Sequence, residues 1–288
     1  MFNFLKYRMV YFLLSGTVIL FGLYSIAKWG YTYSIDFVGG TNLEYQTEKK
    51  VNLNDVEKVF KKDKVDTVNI TQKDRIIVLR TKAIDETKES RLKQDLEKSL
   101  QTKITVLRTE TVGPVLGKET MKKTFIASVL AILGILIYMS FAFKGFNFAL
   151  AAVLAMFHDL LVVIGSYSLL SHFFGAEVDT MFVTAVLTSM SFSVHDTIII
   201  FDKIREYRNV EGRIEMEYGA NKALTETMVR SLNNSMTIIF MLLALTLLGG
   251  STIRFFVATL LIGTITGTYS SPFIATPILV WLERIRKN

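Results

Sequence analysis

An acidic residue lies deep inside one long apolar stretch, residues 181–201, which ends just before a charged tail. Asp196 comes six residues before Asp202, the first charge of that tail. On a helix it is therefore about 9 Å deeper. A carboxylate at such a depth costs about 2.5–3.5 kcal/mol on insertion scales, so it normally has a partner and a function. Ser189, Ser193 and Asp196 have i, i+4, i+7 spacing and share one helix face. The pattern suggests a buried carboxyl group that binds and releases a proton.

Further ionisable and amide side chains interrupt the other apolar runs or adjoin this carboxylate. They are His158, Asp159, His195, Arg230, Asn233 and Asn234. An Asp196–Arg230 pair between neighbouring helices would neutralise both charges, and protonation of the carboxyl would break it, which gives the site two states. The alternative is that Arg230 ends its helix at the cytoplasmic surface and extends into the headgroups. For both histidines, helix packing stands beside direct proton transfer as an interpretation.

Composition identifies the class of protein and excludes several kinds of site. Half of the 288 residues are hydrophobic, and the mean hydropathy is +0.36. These values are typical of a polytopic membrane protein. The absence of cysteine excludes disulfides, thiolate nucleophiles and Cys-based metal sites, and three histidines make a zinc site improbable. We predict no metal, no cofactor, no catalytic residues and no enzymatic activity.

Six apolar runs are long enough to span a bilayer. They cover residues 9–28, 122–143, 147–170, 180–201, 228–248 and 254–281. The first run lacks a small-residue cleavage site, so we interpret it as a retained helix rather than a signal peptide. The segments assigned to the cytoplasm hold Lys6, Arg8, Lys144, Lys203, Arg205, Arg208, Arg213, Lys222, Arg284, Arg286 and Lys287.

Positive charge is distributed unequally between the two sides of the membrane. The short outer loops, residues 171–179 and 249–253, contain no lysine or arginine. This asymmetry predicts that both termini are cytoplasmic and that residues 30–120 are extracytoplasmic. It also explains the net charge of +7 without a nucleic-acid partner.

The extracytoplasmic segment has the pattern of a small α+β domain. Its predicted elements are a strand at 41–47, a helix at 53–62, strands at 66–71 and 75–81, a helix at 85–101 and a strand at 103–112. The order βαββαβ indicates a ferredoxin-like fold. We therefore predict three parts: a transmembrane helix in 1–29, this domain in 30–120 and a five-helix transmembrane domain in 121–288. The middle domain lacks a catalytic constellation, which favours a protein contact.

Glycine-rich stretches flank this domain and recur in the last span. The positions singled out before and after the domain are Asp36, Gly39, Gly40, Gly113, Pro114 and Gly117. Each stretch is a turn next to a membrane helix, and neither has the spacing of a phosphate-binding loop. In the last span, Gly263 and Gly267 precede two serines at small-x-x-x-small spacing, and Pro272 and Pro277 follow. This pattern predicts close helix packing and a kink.

Four of these stretches together resemble the SecF family of the bacterial SecDF protein-export complexes, within the RND superfamily. They are SVHDTIIIFDKIRE (193–206), IDFVGGT (35–41), GPVLGKE (113–119) and GTYSS (267–271). The resemblance covers nearly the whole chain. It implies six transmembrane helices with an external ferredoxin-like domain, in agreement with the pattern above. The glycine positions named before are motif and hinge residues of that family.

The resemblance also implies a function and partners. A protein of this kind assists protein translocation across the bacterial cytoplasmic membrane, driven by a proton or sodium gradient. Its partners would be SecD, the SecYEG channel, translocating unfolded secretory proteins and the lipid bilayer. The family's intramembrane aspartate and arginine fall on Asp196 and Arg230. Two departures lie in the presumed ion path and leave the coupling ion open: His195 replaces an asparagine, and Asn233 and Asn234 replace more typical residues.

Two other functions compete with this interpretation. A stand-alone RND-type efflux transporter would normally need a second half with similar spans, and 288 residues supply only one half. An intramembrane aspartyl protease could use Asp159 and Asp196 as paired carboxylates. The G-x-G-D motif of that class is absent, and Asp196 follows His195 instead of glycine.

Overall fold

The computed structural model describes residues 2–63, 65–143, 145–210 and 215–287. Lys144 and Arg213, two of the predicted cytoplasmic cations, lie outside these ranges. The chain divides into two compact units. The first comprises Met1–Thr32 and Ile126–Asn288, and the second comprises Tyr33–Phe125.

The chain begins with a 3₁₀ helix (Phe4–Tyr7) that continues directly into α1 (Arg8–Trp29). The next elements are β1 (Thr32–Tyr33), α2 (Ile35–Val38), β2 (Gly40–Thr47), α3 (Leu53–Lys62), β3 (Thr67–Lys73), β4 (Ile76–Thr81), α4 (Glu86–Leu100) and β5 (Ile104–Val112). The remaining elements are α5 (Pro114–Ala142), α6 (Phe146–Phe174), β6 (Glu177–Val178), α7 (Thr180–Val210), α8 (Met216–Leu248), α9 (Ser251–Ser270), a π-helix (Ser271–Ala275) and α10 (Thr276–Lys287).

The predicted fold class, a polytopic helical membrane protein with an added α+β domain, is confirmed. Within the described ranges, six helical stretches are long and apolar enough to cross a membrane, and each covers one of the predicted runs, except that the second ends at Ala142, one residue before the predicted end at 143. The helices extend past the apolar runs. For example, α8 begins at Met216, whereas its apolar run begins at residue 228. Hydropathy marks only the part of a helix that suits hydrocarbon, while polar residues continue the same backbone hydrogen bonding beyond it.

Glycines bring pairs of membrane helices into close contact. A Cβ at Gly263 would lie 2.1 Å from the Ser189 Cβ, and a Cβ at Gly267 would lie 2.9 Å from the Ser193 Cα, so α9 packs directly on α7. This is the close approach predicted for the last span. Gly22 and Gly165 make an equivalent contact between α1 and α6, with a Cβ at Gly22 only 2.8 Å from the Gly165 Cα. Small residues allow such approaches because nothing projects between the two backbones.

The predicted kink of the last span is a π-helical turn. It covers Ser271–Ala275 and includes Pro272, and it separates α9 from α10. Proline cannot donate the backbone hydrogen bond that an α-helix requires, and a π-turn is one way to accommodate the missing bond. Such turns occur often at functional sites. Here the turn follows directly after Ser270, at a point where hydroxyl groups from this span face α6 and α7.

The second unit is a four-stranded antiparallel sheet in the order β3-β4-β2-β5, with α3 and α4 packed against each other. This order is that of a ferredoxin-like βαββαβ domain, as predicted. Its core includes Leu43, Phe60 and Leu92, which come from β2, α3 and α4. Asp85 begins α4 as predicted, because its carboxylate accepts a hydrogen bond from the Lys88 N–H at 2.7 Å.

Replacing Tyr45 in this core with phenylalanine is expected to stabilise the second unit. The side chain is fully buried, and no described residue pairs with its hydroxyl. An unpaired buried hydroxyl costs about 1–3 kcal/mol, which the substitution removes. Hydrogen exchange of the β2 amides in the full chain should show slower opening for Tyr45→Phe. Faster opening would mean that the hydroxyl has a stabilising partner.

The buried Tyr45 phenol also makes the stability of the second unit depend on alkaline pH. Burial, and then the nearby charge of Glu89, raises the pKa of the Tyr45 phenol. The folded chain therefore keeps this proton where the unfolded chain has lost it, so the stability is present below the unfolded pKa of about 10 and is lost as pH rises toward the folded value. When the free energy of unfolding is measured at rising alkaline pH, wild type should lose stability, whereas Tyr45→Phe should not.

Candidate functional site

Asp196 is buried at the contact between α7 and α8. Only 6% of the residue is exposed, and its Oδ2 accepts hydrogen bonds from Ser231 Oγ at 3.0 Å and Ser235 Oγ at 3.5 Å. The two serines are spaced i, i+4, so they lie above one another on the face of α8 that meets α7. Uncharged hydroxyl groups therefore hold the carboxylate. Such a site can accept a proton without breaking an ion pair.

The structure does not bring Arg230 to Asp196, and the predicted ion pair is not formed. Within the described ranges Arg230 has no ion pair or hydrogen bond, and its side chain is exposed. The reason is helical geometry. Arg230 directly precedes Ser231, and consecutive residues on a helix point about 100° apart. When Ser231 and Ser235 face α7, Arg230 must face elsewhere.

A small cavity adjoins the carboxylate. Its volume is about 20 Å³, which is enough for one water molecule. Its polar lining, besides Asp196, consists of His195, Asn234, Ser235, Thr264 and Thr268. Two of the residues singled out from the sequence, His195 and Asn234, thus belong to the site. Asn233 does not line this cavity; its side chain is exposed, and its carbonyl accepts a hydrogen bond from Thr237.

A second buried carboxylate, Asp159 of α6, lies among α6, α7 and α9. It is 3% exposed and accepts hydrogen bonds from Ser193 Oγ of α7 and from Ser270 Oγ of α9, the latter at 2.6 Å. Its Oδ1 lies 2.8 Å from the His158 Nδ1. Ser193 therefore contacts Asp159 rather than Asp196. The predicted polar face of α7 exists, but it serves two separate carboxylates.

Several residues of these sites were not predicted as site residues from the sequence. Ser231 and Ser235 hold Asp196, Ser270 holds Asp159, and Ser271 Oγ lies 2.9 Å from Thr197 Oγ1. A usable signal was present for the first two, because serines at i, i+4 in an apolar run mark one polar helix face. Ser270 and Ser271 gave a weaker signal, since adjacent residues normally face different directions.

Family models match most of the chain. One, described as protein export membrane protein SecD/SecF, C-terminal, matches residues 92–285, which is more than half of the chain. A second, the SecD/SecF GG motif, matches residues 32–51. The chain belongs to the SecD/SecF family. Its predicted resemblance to SecF is confirmed by relatives over the whole length.

Relatives named protein translocase subunit SecF match nearly all of this SecF-family chain. The protein of Thermobaculum terrenum is 39% identical over 98% of this chain and 94% of its own, and that of Anaerolinea thermophila is 37% identical over the same shares. The crystal structure of SecDF, a translocon-associated membrane protein from Thermus thermophilus, matches 98% of this chain at 29% identity with a TM-score of 0.86. This chain spans only 39% of that longer SecDF chain.

The two glycine motifs of the SecF family meet within the second unit. Gly39 has φ +76°, and a Cβ there would lie 2.8 Å from the Pro114 Cα. A Cβ at Gly117 would lie 2.8 Å from the Gly39 nitrogen. Thr41 Oγ1 and Thr111 Oγ1, 2.9 Å apart, continue the contact along β2 and β5. Any larger residue at Gly39 would thus separate the start of the domain from the start of α5.

The other motif positions have local roles in the same turns. The Asp36 N–H, in the first turn of α2, donates to Ser34 Oγ at 3.2 Å, and Gly40 has φ +135°. The Gly113 carbonyl accepts a hydrogen bond from the Gly117 N–H at 2.9 Å, which begins α5. These hydrogen bonds and glycine conformations shape the backbone at the start of the domain and at the start of α5.

A third buried carboxylate, Glu283 of α10, lies in the first unit, which contains five of the six membrane-spanning stretches and part of the sixth. Glu283 is 3% exposed, accepts a hydrogen bond from Asn147 Nδ2 of α6 at 2.7 Å, and pairs with Arg208 Nη1 of α7 at 3.2 Å. It joins three helices at one end of the unit. Among the described residues, no group of three His, Cys, Asp or Glu side chains is placed to hold a metal ion.

Proposed function

We propose that this chain is an accessory subunit of the Sec protein translocase that works with a SecD partner and uses the proton gradient to assist translocation. The family assignment supports the role in protein export. The observation that carries the energy coupling is Asp196, a buried carboxylate held by two serine hydroxyls beside a water-sized cavity. Protonation there changes the charge of the α7–α8 contact and thus its preferred packing.

The charge balance of this site supports the proposal. A buried carboxylate without a counter-charge is costly, and a bound proton removes the charge. The carboxyl group can keep both serine contacts when protonated, because one of its oxygens still accepts hydrogen bonds. The exposed Arg230, one residue before Ser231, is available to a group on the SecD partner. Binding of a charged group of SecD to Arg230 would then link proton binding at Asp196 to the packing of the two subunits.

The proposed setting follows from the distribution of charge. Both termini lie in the cytoplasm, the chain spans the bacterial cytoplasmic membrane, and residues 30–120 lie outside it. There the ferredoxin-like domain contacts the translocating unfolded protein as it leaves SecYEG. The chain acts as a coupling subunit rather than as an enzyme.

The contacts of the two buried carboxylates argue against the protease alternative. An aspartyl protease needs two carboxylates that share one site. Asp159 receives hydrogen bonds from α7 and α9, whereas Asp196 receives them from α8, and in the described part of the chain no hydrogen bond joins the two.

The proposal is tested with vesicles that contain the translocase, the SecD partner and this chain. The rate at which a secretory precursor completes translocation is measured with an imposed proton gradient, and matched vesicles lack only this chain. We expect stimulation that depends on the chain and disappears when a protonophore dissipates the gradient. A sodium gradient in place of the proton gradient identifies the coupling ion. Stimulation that persists without either gradient would refute energy coupling.

A further inference from the structure

We propose that His158 and Asp159 form a second proton-binding site, separate from Asp196 and built wholly from this chain. We call this pair the α6 dyad. The proposal extends the proton-coupled function proposed above, but the α6 dyad is defined by its own contacts and can be tested without translocation. Nothing in the role of Asp196 requires it.

The dyad has the geometry of a site that holds one proton between two groups. The Asp159 Oδ1 and the His158 Nδ1 are 2.8 Å apart, which is a hydrogen-bond distance. The other carboxylate oxygen, Oδ2, accepts from Ser193 and Ser270. Both serines are buried, and each comes from a different helix. The carboxylate is therefore fixed in orientation, with one oxygen reserved for the imidazole.

The net charge of the buried dyad determines whether it holds an added proton. Without an added proton, a neutral imidazole beside a carboxylate leaves a net charge of −1, which two neutral hydroxyls do not compensate. Burying a net charge costs several kcal/mol, whereas a neutral pair avoids most of that cost. One proton given up by hydronium forms an N–H bond on the imidazole or an O–H bond on the carboxyl group and makes the dyad neutral. The O–H bond of the hydronium breaks and leaves water, and no other bond changes.

The second imidazole nitrogen supplies the route for that proton. The His158 side chain is only 10% exposed, and within the described residues its Nε2 is buried without a hydrogen-bond partner. Buried polar atoms without partners are uncommon in folded proteins and call for an explanation. An exchangeable proton on Nε2, passed to a transient water or to a group of the partner subunit, explains this one. A histidine held only for packing would leave the atom unsatisfied at a cost.

The titratable groups with described contacts on the helices packed against α6 contact partners other than Asp159. Asp196 of α7 pairs with serines of α8, His195 of α7 lines the cavity beside Asp196, and Glu283 of α10 pairs with Arg208. The Tyr269 hydroxyl of α9 donates to the Tyr11 carbonyl of α1. Also on α1, the Tyr11 ring contacts Phe273, and Lys28 lies over Tyr24 and Trp29. Among the described residues, the hydrogen bonds that reach Asp159 from neighbouring helices come from the hydroxyls of Ser193 and Ser270, so the proton equilibrium belongs to the dyad.

Helix α7 links the two proton sites. Ser193 donates to Asp159, and Asp196, three residues later, accepts from α8. The two residues are about 4.5 Å apart along the helix axis. The same helix therefore contributes a donor to one site and the acceptor of the other. Two protons per chain can act on the position of α7, one through α6 and α9 and one through α8.

The test is nitrogen NMR of the full-length chain with ¹⁵N-labelled histidine, reconstituted in lipid. The chain has three histidines. His158→Asn and His195→Asn assign their signals. Signals are followed from about pH 5 to about pH 9, where an unperturbed histidine changes charge. Two results near neutral pH would show that the dyad holds the added proton. In the first, both nitrogens of His158 are protonated; in the second, Nε2 carries the proton and Nδ1 accepts a hydrogen bond from the protonated Asp159.

The opposite result is equally clear. A His158 that carries its single proton on Nδ1 at every pH would show that the dyad binds no additional proton, and would overturn the proposal. Asp196→Asn should leave the loaded signal of His158 in place, because the sites are separate, whereas Asp159→Asn should remove it. The decisive readout uses the wild-type chain, so a variant that fails to fold does not decide the outcome. Failure of gradient-driven translocation would refute the proposed function without changing this spectrum.

Discussion

The Asp196→Asn variant is expected to lose nearly all gradient-driven stimulation of translocation while it still inserts and folds. Asparagine has almost the shape of the carboxyl group, and its carbonyl can accept the same hydrogen bonds from Ser231 and Ser235. It cannot exchange a proton near neutral pH. The substitution therefore removes the proposed chemistry and preserves the contacts. The measurement is the rate of precursor translocation in vesicles with an imposed proton gradient.

Asp202→Asn is the matched control for this prediction. Asp202 lies on the same helix, its side chain is 61% exposed, and it pairs with Arg205 at 3.2 Å. An exposed pair of this kind contributes about 0–1 kcal/mol, so its loss should leave stimulation near the wild-type level. If Asp196→Asn kept wild-type stimulation, the carboxyl group would have no role in coupling. If both variants lost stimulation equally, the loss would come from a general disturbance of helix α7 and not from the Asp196 carboxyl group.

The Gly263→Ala variant is expected to weaken the packing of α9 on α7 and to lower the stability of the membrane unit by about 1–3 kcal/mol. The added methyl would lie 2.1 Å from Ser189 Cβ and 2.6 Å from Ser189 Oγ. The Ser189 Cβ is fixed to the backbone and cannot rotate away from the added methyl, so the helices themselves must separate. The measurement is the thermal unfolding of the purified chain in detergent.

Gly134→Ala on α5 is the control for this effect. Within the described residues, nothing lies within 4 Å of a Cβ at Gly134. Alanine forms helix about 1 kcal/mol better than glycine, so this variant should be as stable as wild type or slightly more so. Equal unfolding temperatures for Gly263→Ala and Gly134→Ala would contradict the close contact between α7 and α9.

The ferredoxin-like domain could be predicted almost element by element. Its strands and helices each bury one face in the domain core and leave the other exposed, so hydrophobic periodicity indicates where each element lies. The first helix, predicted at 53–62, forms over Leu53–Lys62, and the last strand, predicted at 103–112, forms over Ile104–Val112. The helix predicted at 85–101 forms over Glu86–Leu100, and Asp85 caps it, because capping depends on local geometry alone.

The partners of Asp196 could not be predicted in the same way. Charge alone suggested Arg230, since opposite charges attract over a long range. Rotation about α8 decided otherwise, because only Ser231 and Ser235 lie on the face that meets α7. Which face of a membrane helix turns toward a neighbour depends on packing with other helices. The spacing of the two serines marks a polar face, but Arg230, Asn233 and Asn234 are polar as well, so polarity alone does not reveal which of these residues meet α7.

The sequence also did not predict that the polar face of α7 contacts two different carboxylates. Ser193 and Asp196 share one side of the helix by their spacing, yet Ser193 contacts Asp159 of α6. The close approach of Gly267 to Ser193 places α9 beside this contact, and Ser270 of α9 reaches the same carboxylate. The glycine spacing was readable from the sequence. Which carboxylate a given serine contacts depends on how α6, α7 and α9 pack together, and the spacing does not indicate this.

Proton uptake into vesicles that contain this chain and its SecD partner shows whether Asp196 binds the coupling proton. Uptake is recorded with a pH-sensitive dye for wild type, Asp196→Asn and Asp202→Asn, with and without sodium. We expect proton flux in wild type and Asp202→Asn, none in Asp196→Asn, and no requirement for sodium. Undiminished proton flux through Asp196→Asn would show that another group carries the proton.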